Sequence, residues 1–143
     1  MSLDAAYDPD NIFAKIINGD IPSTKLYEDD DLLAFMDAFP QSDGHCLVIH
    51  KKAQATNLFD VDPVALTQIT AVLQKIATAV KNGLNPDGIR IAQFNGAPAG
   101  QTVFHLHFHI IPVYEGRAFA PHGGSAADPD KLALLAEKIK AAL

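Results

Sequence analysis

Hydrophobic residues recur at helical spacing in three stretches of the chain, each bounded by a recognisable start or stop signal. Residues 11–18 place their isoleucines and phenylalanine on one side of a short helix that Gly19 ends. The longest stretch begins at the Asp-Pro pair 62–63, where an acceptor side chain precedes a proline, and continues to Gly83. A second Asp-Pro pair at 128–129 opens the last stretch. The pattern therefore predicts three helices, the second long enough to cover one face of a sheet.

Shorter stretches carry the alternating or continuously apolar patterns that are typical of strands. The predicted strands are residues 25–27, 32–36, 45–50, 89–94 and 103–113. Strands grouped around one long helix and joined mostly by short turns favour an antiparallel α+β domain over a doubly wound one. Because the sequence shows no repeat, low-complexity stretch or linker, residues 1–143 are predicted to form a single domain.

The composition narrows the classes of partner and the compartment. With 143 residues, of which 48% are hydrophobic and 20% charged, the chain is long enough to bury its own core. A net charge of -6 argues against nucleic acid as a partner, although one local site can still take a small anion. Cys46 is the single cysteine, so no intramolecular disulfide is expected. Residues 1–10 resemble neither a signal peptide nor a membrane span, so a cytoplasmic protein is expected.

A row of histidines is the most informative feature. In residues 101–112 (QTVFHLHFHIIP), His105, His107 and His109 alternate with apolar residues, which predicts that all three share one face of a strand. A histidine-rich polar face is the first interpretation, but surface strands more often carry Thr, Lys, Glu or Ser. A transition-metal site is the second. Alternate strand residues lie roughly 6.6 Å apart, however, so one ion cannot take all three. Nucleophilic catalysis by the middle histidine, assisted by its neighbours, is the third.

The loop before this row favours the third interpretation. Residues 95–102 (NGAPAGQT) combine small residues with polar ends, and Gly96 and Gly100 permit close approach of a ligand. Exposed backbone N–H groups, with the side chains of Asn95 and Thr102, are therefore expected to hold phosphate oxygens. The loop lacks the lysine and the following helix of a nucleoside-triphosphate P-loop, which excludes that motif.

Several segments together match the pattern of a known family. The central ones are residues 105–111 (HLHFHII), in which histidines alternate with hydrophobic residues, and the preceding 100–103 (GQTV). The others are 12–17 (IFAKII), 21–23 (IPS), 27–29 (YED), 34–37 (AFMD), 44–45 (GH) and 47–49 (LVI). In these segments the chain resembles the histidine triad (HIT) family, most closely its Hint-like branch, over about residues 11–114.

The resemblance implies a homodimer whose two sheets join, and a purine nucleotide as ligand. It implies that His107 attacks the α-phosphate to form a covalent nucleotidyl-histidine intermediate, with a backbone carbonyl on its own strand orienting the ring. His105 and His45 are then a buried polar pair beneath the nucleophile. His109 contacts the phosphate, and Thr102 binds a phosphate oxygen or assists the leaving group. The implied nucleotide-binding residues are Asn95, Gly100 and Gln101 beside the phosphate, Asp37 at the ribose, and Phe13, Ile16, Phe35 and Ala38 around the base.

The preferred activity is cleavage of purine nucleoside phosphoramidates or related nucleotidyl conjugates. The alternatives are dinucleoside polyphosphate hydrolysis, as in the Fhit-like branch, and a non-catalytic nucleotide-binding interaction protein. Some bacterial relatives carry a structural zinc held partly by two cysteines, where this chain has Asn11 and Ala14, so neither a metal nor a cofactor is expected. His50 stands where relatives usually have proline and receives no role. His122, in the glycine-rich stretch 121–125, is expected to be a surface loop residue.

Overall fold

A five-stranded antiparallel sheet forms the centre of the protein, whose computed structural model describes residues 2–143. The strands are β1 (Lys25–Glu28), β2 (Leu32–Met36), β3 (Cys46–His50), β4 (Gly88–Ala92) and β5 (His107–Val113), in the order β1-β2-β3-β5-β4. The helices are α1 (Ile12–Ile17), α2 (Pro63–Leu84) and α3 (Pro129–Lys140), with short 3-10 turns at Ser2–Asp4 and Ala97–Ala99. The architecture confirms the predicted antiparallel α+β class.

The three helix starts follow from local capping chemistry. The side chain of Asn11 accepts hydrogen bonds from two backbone N–H groups of α1, and Asp62 and Asp128 each accept one at the starts of α2 and α3. Gly83 was predicted to end α2, but the helix continues to Leu84 and Asn85 takes the left-handed conformation at its C-cap. The local signals therefore place each helix, and only the end of α2 differs.

The two faces of the sheet carry separate hydrophobic clusters. Helices α2 and α3 cover one face, and α1 lies on the other. Although α2 is long and apolar enough by composition to span a bilayer, it packs on the sheet with Ile69, Ile76 and Val80 fully buried. The cluster beneath α1 is smaller and consists of Phe13, Ile16, Leu33, Phe35, Leu47 and Ile49. Burial on both faces explains why β2 and β3 are apolar except for His50 at the end of β3.

Two strands are shorter than their sequence patterns predict. The predicted strand 103–113 begins in the structure only at His107, because β3 ends at His50 and offers no ladder partner further on. The chain bends at 103–105, and the N–H of Leu106 donates instead to the carbonyl of Ala55. The predicted strand 89–94 ends at Ala92, since the residues that follow enter the loop before the histidines.

The close contact between α2 and α3 generates a stability prediction. A Cβ atom added at Gly83 would lie 2.5 Å from the carbonyl oxygen of Lys138, on the backbone of α3. Gly83→Ala should therefore lower the free energy of unfolding by about 1–3 kcal/mol through overpacking, despite alanine's better helix propensity. Denaturant unfolding followed by circular dichroism measures this.

Asn82→Ala, on the exposed side of the same helical turn, is the matched control and should change stability by no more than about 0.5 kcal/mol. A Gly83→Ala protein that is more stable than the parent would show that the two helices can separate at no cost.

Candidate active site

The histidine row lies on the sheet face that carries α1. His107 pairs with Ile49 and His109 with Leu47 across the β3–β5 ladder, so these side chains share a face with the cluster beneath α1. The intervening Phe108 packs against the opposite cluster. The predicted alternation is therefore confirmed for His107 and His109. His105 precedes the strand, at the bend.

One hydrogen bond sets the tautomer of His107. Its Nδ1 lies 2.7 Å from the carbonyl oxygen of His105, and because a carbonyl can only accept, the proton resides on Nδ1. Burial lowers the pKa of His107, and the hydrogen bond to His105 and the charge of Asp37 oppose that shift. The ring is thus neutral at physiological pH, with the lone pair on Nε2. Phe13 packs edge-on against it at 4.9 Å between ring centroids.

His45 pairs with His109, not with His105 as the resemblance implied. Nε2 of His45 lies 2.9 Å from Nδ1 of His109, while Nδ1 of His45 accepts the backbone N–H of Gln41 at 3.0 Å. Burial lowers the pKa of His45 to about 4 and that of His109 to about 3, so both are neutral. Hence His45 carries its proton on Nε2 and donates it to His109, whose own proton lies on Nε2.

This proton order makes the site suited to an anion. Nε2 of His109 is buried and has no hydrogen-bond partner among residues 2–143, which leaves an unused N–H donor beside His107. Asp37, His45 and His109 also bring three possible metal ligands within 4.8 Å of one another. A metal would need the lone pair of His45 Nε2, but that nitrogen holds the proton as long as Gln41 donates to Nδ1. The donor set therefore favours an anionic group over a cation.

The ring of His105 is hydrogen-bonded to a tyrosine that the sequence analysis missed. Nε2 of His105 donates to the carbonyl of His50 at 3.1 Å, so its Nδ1 accepts from the hydroxyl of Tyr7 at 2.8 Å. Burial lowers the pKa of His105 to about 4, so the ring stays neutral and keeps this tautomer. The N-terminal segment that carries Tyr7 is held by Thr56 and Asn57, which donate to its carbonyl groups. A lone tyrosine ahead of the first helix carries no periodic signal that would have identified it.

The loop at 95–102 is more self-contained than predicted. The backbone N–H groups of its five residues from 96 to 101, apart from Pro98, are bonded within the loop or to Ser2. The side chain of Gln101 accepts the N–H of Gly96 and donates to two backbone carbonyl groups. The side chain of Asn95 is hydrogen-bonded to Gln93 and accepts the N–H of Leu58. These atoms shape the loop and are not open for phosphate oxygens. The exposed Thr102, which follows the left-handed Gly100, keeps its hydroxyl without a partner among the described residues.

The residues expected around the base and ribose fall into two groups. Phe13, Ile16 and Phe35 lie together in the cluster beneath α1 and are at least nine-tenths buried. Ala38 is exposed in the turn after β2. Asp37 begins that turn by accepting the N–H of Phe39, and its other carboxylate oxygen lies 3.4 Å from Nε2 of His45. Phe13, Ile16 and Phe35 thus share a sheet face with His107 and His109, and Asp37 lies beside His45.

The two histidines left without a role have distinct positions. His50 accepts the N–H groups of Lys52 and Ala53 at Nδ1 and donates from Nε2 to Gln68, so it caps the turn after β3. His122 is exposed as expected, but its ring centroid lies only 5.4 Å from that of His109. The loop after β5 therefore returns to the site.

Known proteins resemble this chain in sequence and share its fold. The HIT domain family model matches residues 18–116. A crystal structure of a Hit-like protein from Bartonella henselae, described as involved in cell-cycle regulation, is 50% identical with a TM-score of 0.89, covering 96% of this chain and 100% of that one. A hypothetical histidine triad nucleotide-binding protein of Sulfolobus tokodaii is 32% identical, with a TM-score of 0.82 and coverages of 91% and 89%. A Zn-bound histidine triad family protein of Mycobacterium smegmatis is 36% identical, with a TM-score of 0.80 and coverages of 93% and 92%. This chain belongs to the histidine triad (HIT) family.

Proposed function

We propose that this protein cleaves purine nucleotide conjugates at the α-phosphate through a covalent nucleotidyl-histidine intermediate on His107. One observation carries the proposal: the free lone pair of His107 Nε2 stands beside the unpartnered N–H donor of His109. A nucleophile next to a buried donor is the arrangement that phosphoryl-type transfer requires, because that chemistry depends on positioning and on neutralising charge. The family comprises nucleotide-binding proteins of the hydrolase and transferase type.

The reaction follows from the tautomers. The Nε2 lone pair of His107 forms a bond to the α-phosphorus as the bond to the leaving group breaks. The ring then carries a positive charge, which the carbonyl of His105 stabilises through the Nδ1–H hydrogen bond. The N–H of His109 and the hydroxyl of Thr102 hold phosphate oxygens. A water molecule then attacks the phosphorus and returns the bonding pair to Nε2, releasing the nucleoside monophosphate.

The proposed substrate is a purine nucleoside phosphoramidate or a related conjugate. Phe13, Ile16 and Phe35 provide an apolar wall for the base, and Asp37 a carboxylate for the ribose hydroxyls. We propose that the chemistry uses neither a metal nor a cofactor, since the hydrogen bonds of His45 leave an N–H donor, which suits an anion, at the cluster formed by Asp37, His45 and His109. Dinucleoside polyphosphate cleavage and binding without turnover are outcomes that the experiments below distinguish.

The proposed assembly is a homodimer of a cytoplasmic protein. Strand β4 is an edge of the sheet, and Ile91 on it is 48% exposed, so a second copy can extend the sheet there. Cys46 is a fully buried thiol whose pKa is raised by burial, so it is inert and consistent with a reducing compartment.

The first prediction concerns the covalent intermediate. After brief mixing with an adenosine 5′-phosphoramidate, intact-protein mass spectrometry should show a transient adduct of adenylyl mass on the parent. His107→Asn keeps an N–H donor for the carbonyl of His105 but removes the nucleophilic nitrogen. It should form no adduct and lose at least roughly 10³-fold in kcat/KM while still binding adenosine monophosphate.

An adduct that persists in His107→Asn would place the nucleophile elsewhere. A parent that binds nucleotide but gives neither adduct nor product would support the interaction-protein alternative. A parent that cleaves diadenosine polyphosphate far faster than the phosphoramidate would support the Fhit-like one.

The pH dependence tests the neutral state of the nucleophile. Burial lowers the pKa of His107 below the ordinary histidine value of 6.5, and activity requires the unprotonated ring. The substrate is an adenylyl ester of an acidic phenol, which leaves as the phenolate and needs no proton. As the pH falls from 8, kcat/KM should decrease with a midpoint below pH 6.5, where the lowered pKa of His107 lies. A fall in kcat/KM with its midpoint at or above pH 7 would contradict a buried, neutral His107.

A further inference from the structure

Four aromatic rings surround His109, and three of them are histidines. The ring centroids of His107, His45 and His122 lie 4.9, 5.2 and 5.4 Å from that of His109, and Phe94 lies at 5.4 Å. His122 comes from the loop between β5 and α3, 13 positions after His109. A fourth histidine ring therefore lies against that of His109.

Backbone hydrogen bonds fix this loop to the site. The N–H of Ala120 donates to the carbonyl of Gln41, and the N–H of Ala127 donates to that of Ala38, on either side of His122. Gln41 is the residue whose N–H sets the tautomer of His45. The same turn thus positions both the buried donor pair and the loop that carries His122.

His122 differs from the other histidines in what its ring can do. Burial lowers the pKa of His45, His105, His107 and His109, so none of these rings holds a spare proton at neutral pH. Both ring nitrogens of His50 are engaged in the turn after β3. The ring of His122 is exposed and hydrogen-bonds to no other described residue. Its ring nitrogens are therefore free to donate a proton to a bound substrate or to accept one from it.

Proton supply matters only for some leaving groups. An amine or an alkoxide is a strong base and leaves phosphorus only when it is protonated, whereas a phosphate or an acidic phenol leaves as the anion. We propose that His122 is the general acid that protonates a basic leaving group, such as the amine of an alkyl phosphoramidate. This inference rests on the proposed function.

The reaction has two steps, and in each the proton and the bonding electron pair are accounted for. As Nε2 of His107 bonds to phosphorus, the P–N bond of the substrate breaks, and its electron pair takes the proton of the His122 imidazolium. The amine departs neutral and His122 becomes a neutral base. In the second step His122 accepts the proton of the attacking water, and the His107–phosphorus bond breaks. The charged and titratable groups that face His122 are His109, His107 and His45, with Asp37 behind His45. A positive charge on His122 lowers the pKa of each of these three histidines.

The test compares two leaving groups in matched variants. For the parent and His122→Gln, kcat/KM is measured with an adenylyl alkylamine phosphoramidate and with an adenylyl ester of an acidic phenol. His122→Gln should lose about 10²-fold on the phosphoramidate and less than about 3-fold on the phenyl ester. Ser125→Ala, in the same exposed loop, should leave both values at the parental level. For His122→Ala, added imidazole should restore part of the phosphoramidate rate.

Each other outcome is decisive. Equal losses on both substrates would show that His122 binds the phosphate or shapes the loop, and no loss on either would remove it from the reaction; both overturn the assignment. An unchanged adenylyl adduct on His107 with the phenyl ester in His122→Gln would support it. If the parent forms no adduct with either substrate, the proposed function fails. If it forms one and only the leaving-group contrast is missing, the function stands and the role of His122 falls.

Discussion

The hydrogen bond from Nδ1 of His107 to the carbonyl of His105 determines which nitrogen of the triad can react. That carbonyl is available because residue 105 lies outside the ladder, where β3 has already ended. The ring of His105 donates a hydrogen bond from Nε2 to the carbonyl of His50, the last residue of β3. The bend before β5 therefore sets the tautomers of both rings, because a strand that ran straight through residue 105 would use these backbone groups for strand pairing.

Features set by neighbouring residues were predictable from the sequence, and those set by distant partners were not. The caps at Asn11, Asp62 and Asp128 act within three residues, so each helix start could be read directly. The strand pattern at 103–113 continues past the real start of β5, because alternation records which face a residue prefers and not where its partner strand stops. The resemblance named four histidines that the structure brings together, but it paired His45 with His105. The true partner, His109, lies 64 positions from His45 along the chain.

The loop before the triad shows a related limit. A sequence lists donors and acceptors but not the ones that the fold has already used. Gln101 and Asn95 had the right chemistry for a phosphate shell, yet their amide groups hold the loop together. Tyr7 had no visible role, yet its hydroxyl donates to Nδ1 of His105, whose tautomer the carbonyl of His50 sets. Which polar groups remain free is a property of the closed hydrogen-bond network, and in this protein the network leaves the N–H of His109.

That network also explains how a chain with a net charge of -6 can favour an anion. No lysine or arginine is among the charges that shift the pKa of His45, His105, His107 or His109 in the described part of the chain. Lys51, Lys52 and Lys131 instead pair with acids elsewhere. Neutral N–H donors, together with the one positive charge proposed for His122, suffice for the single negative charge of a phosphoramidate or a phosphodiester. The several charges of a polyphosphate need cations to offset them, because neutral dipoles in a buried site compensate poorly for accumulated charge. The electrostatics of the site thus agree with the leaving-group argument from His122: both favour a singly charged conjugate over a polyphosphate.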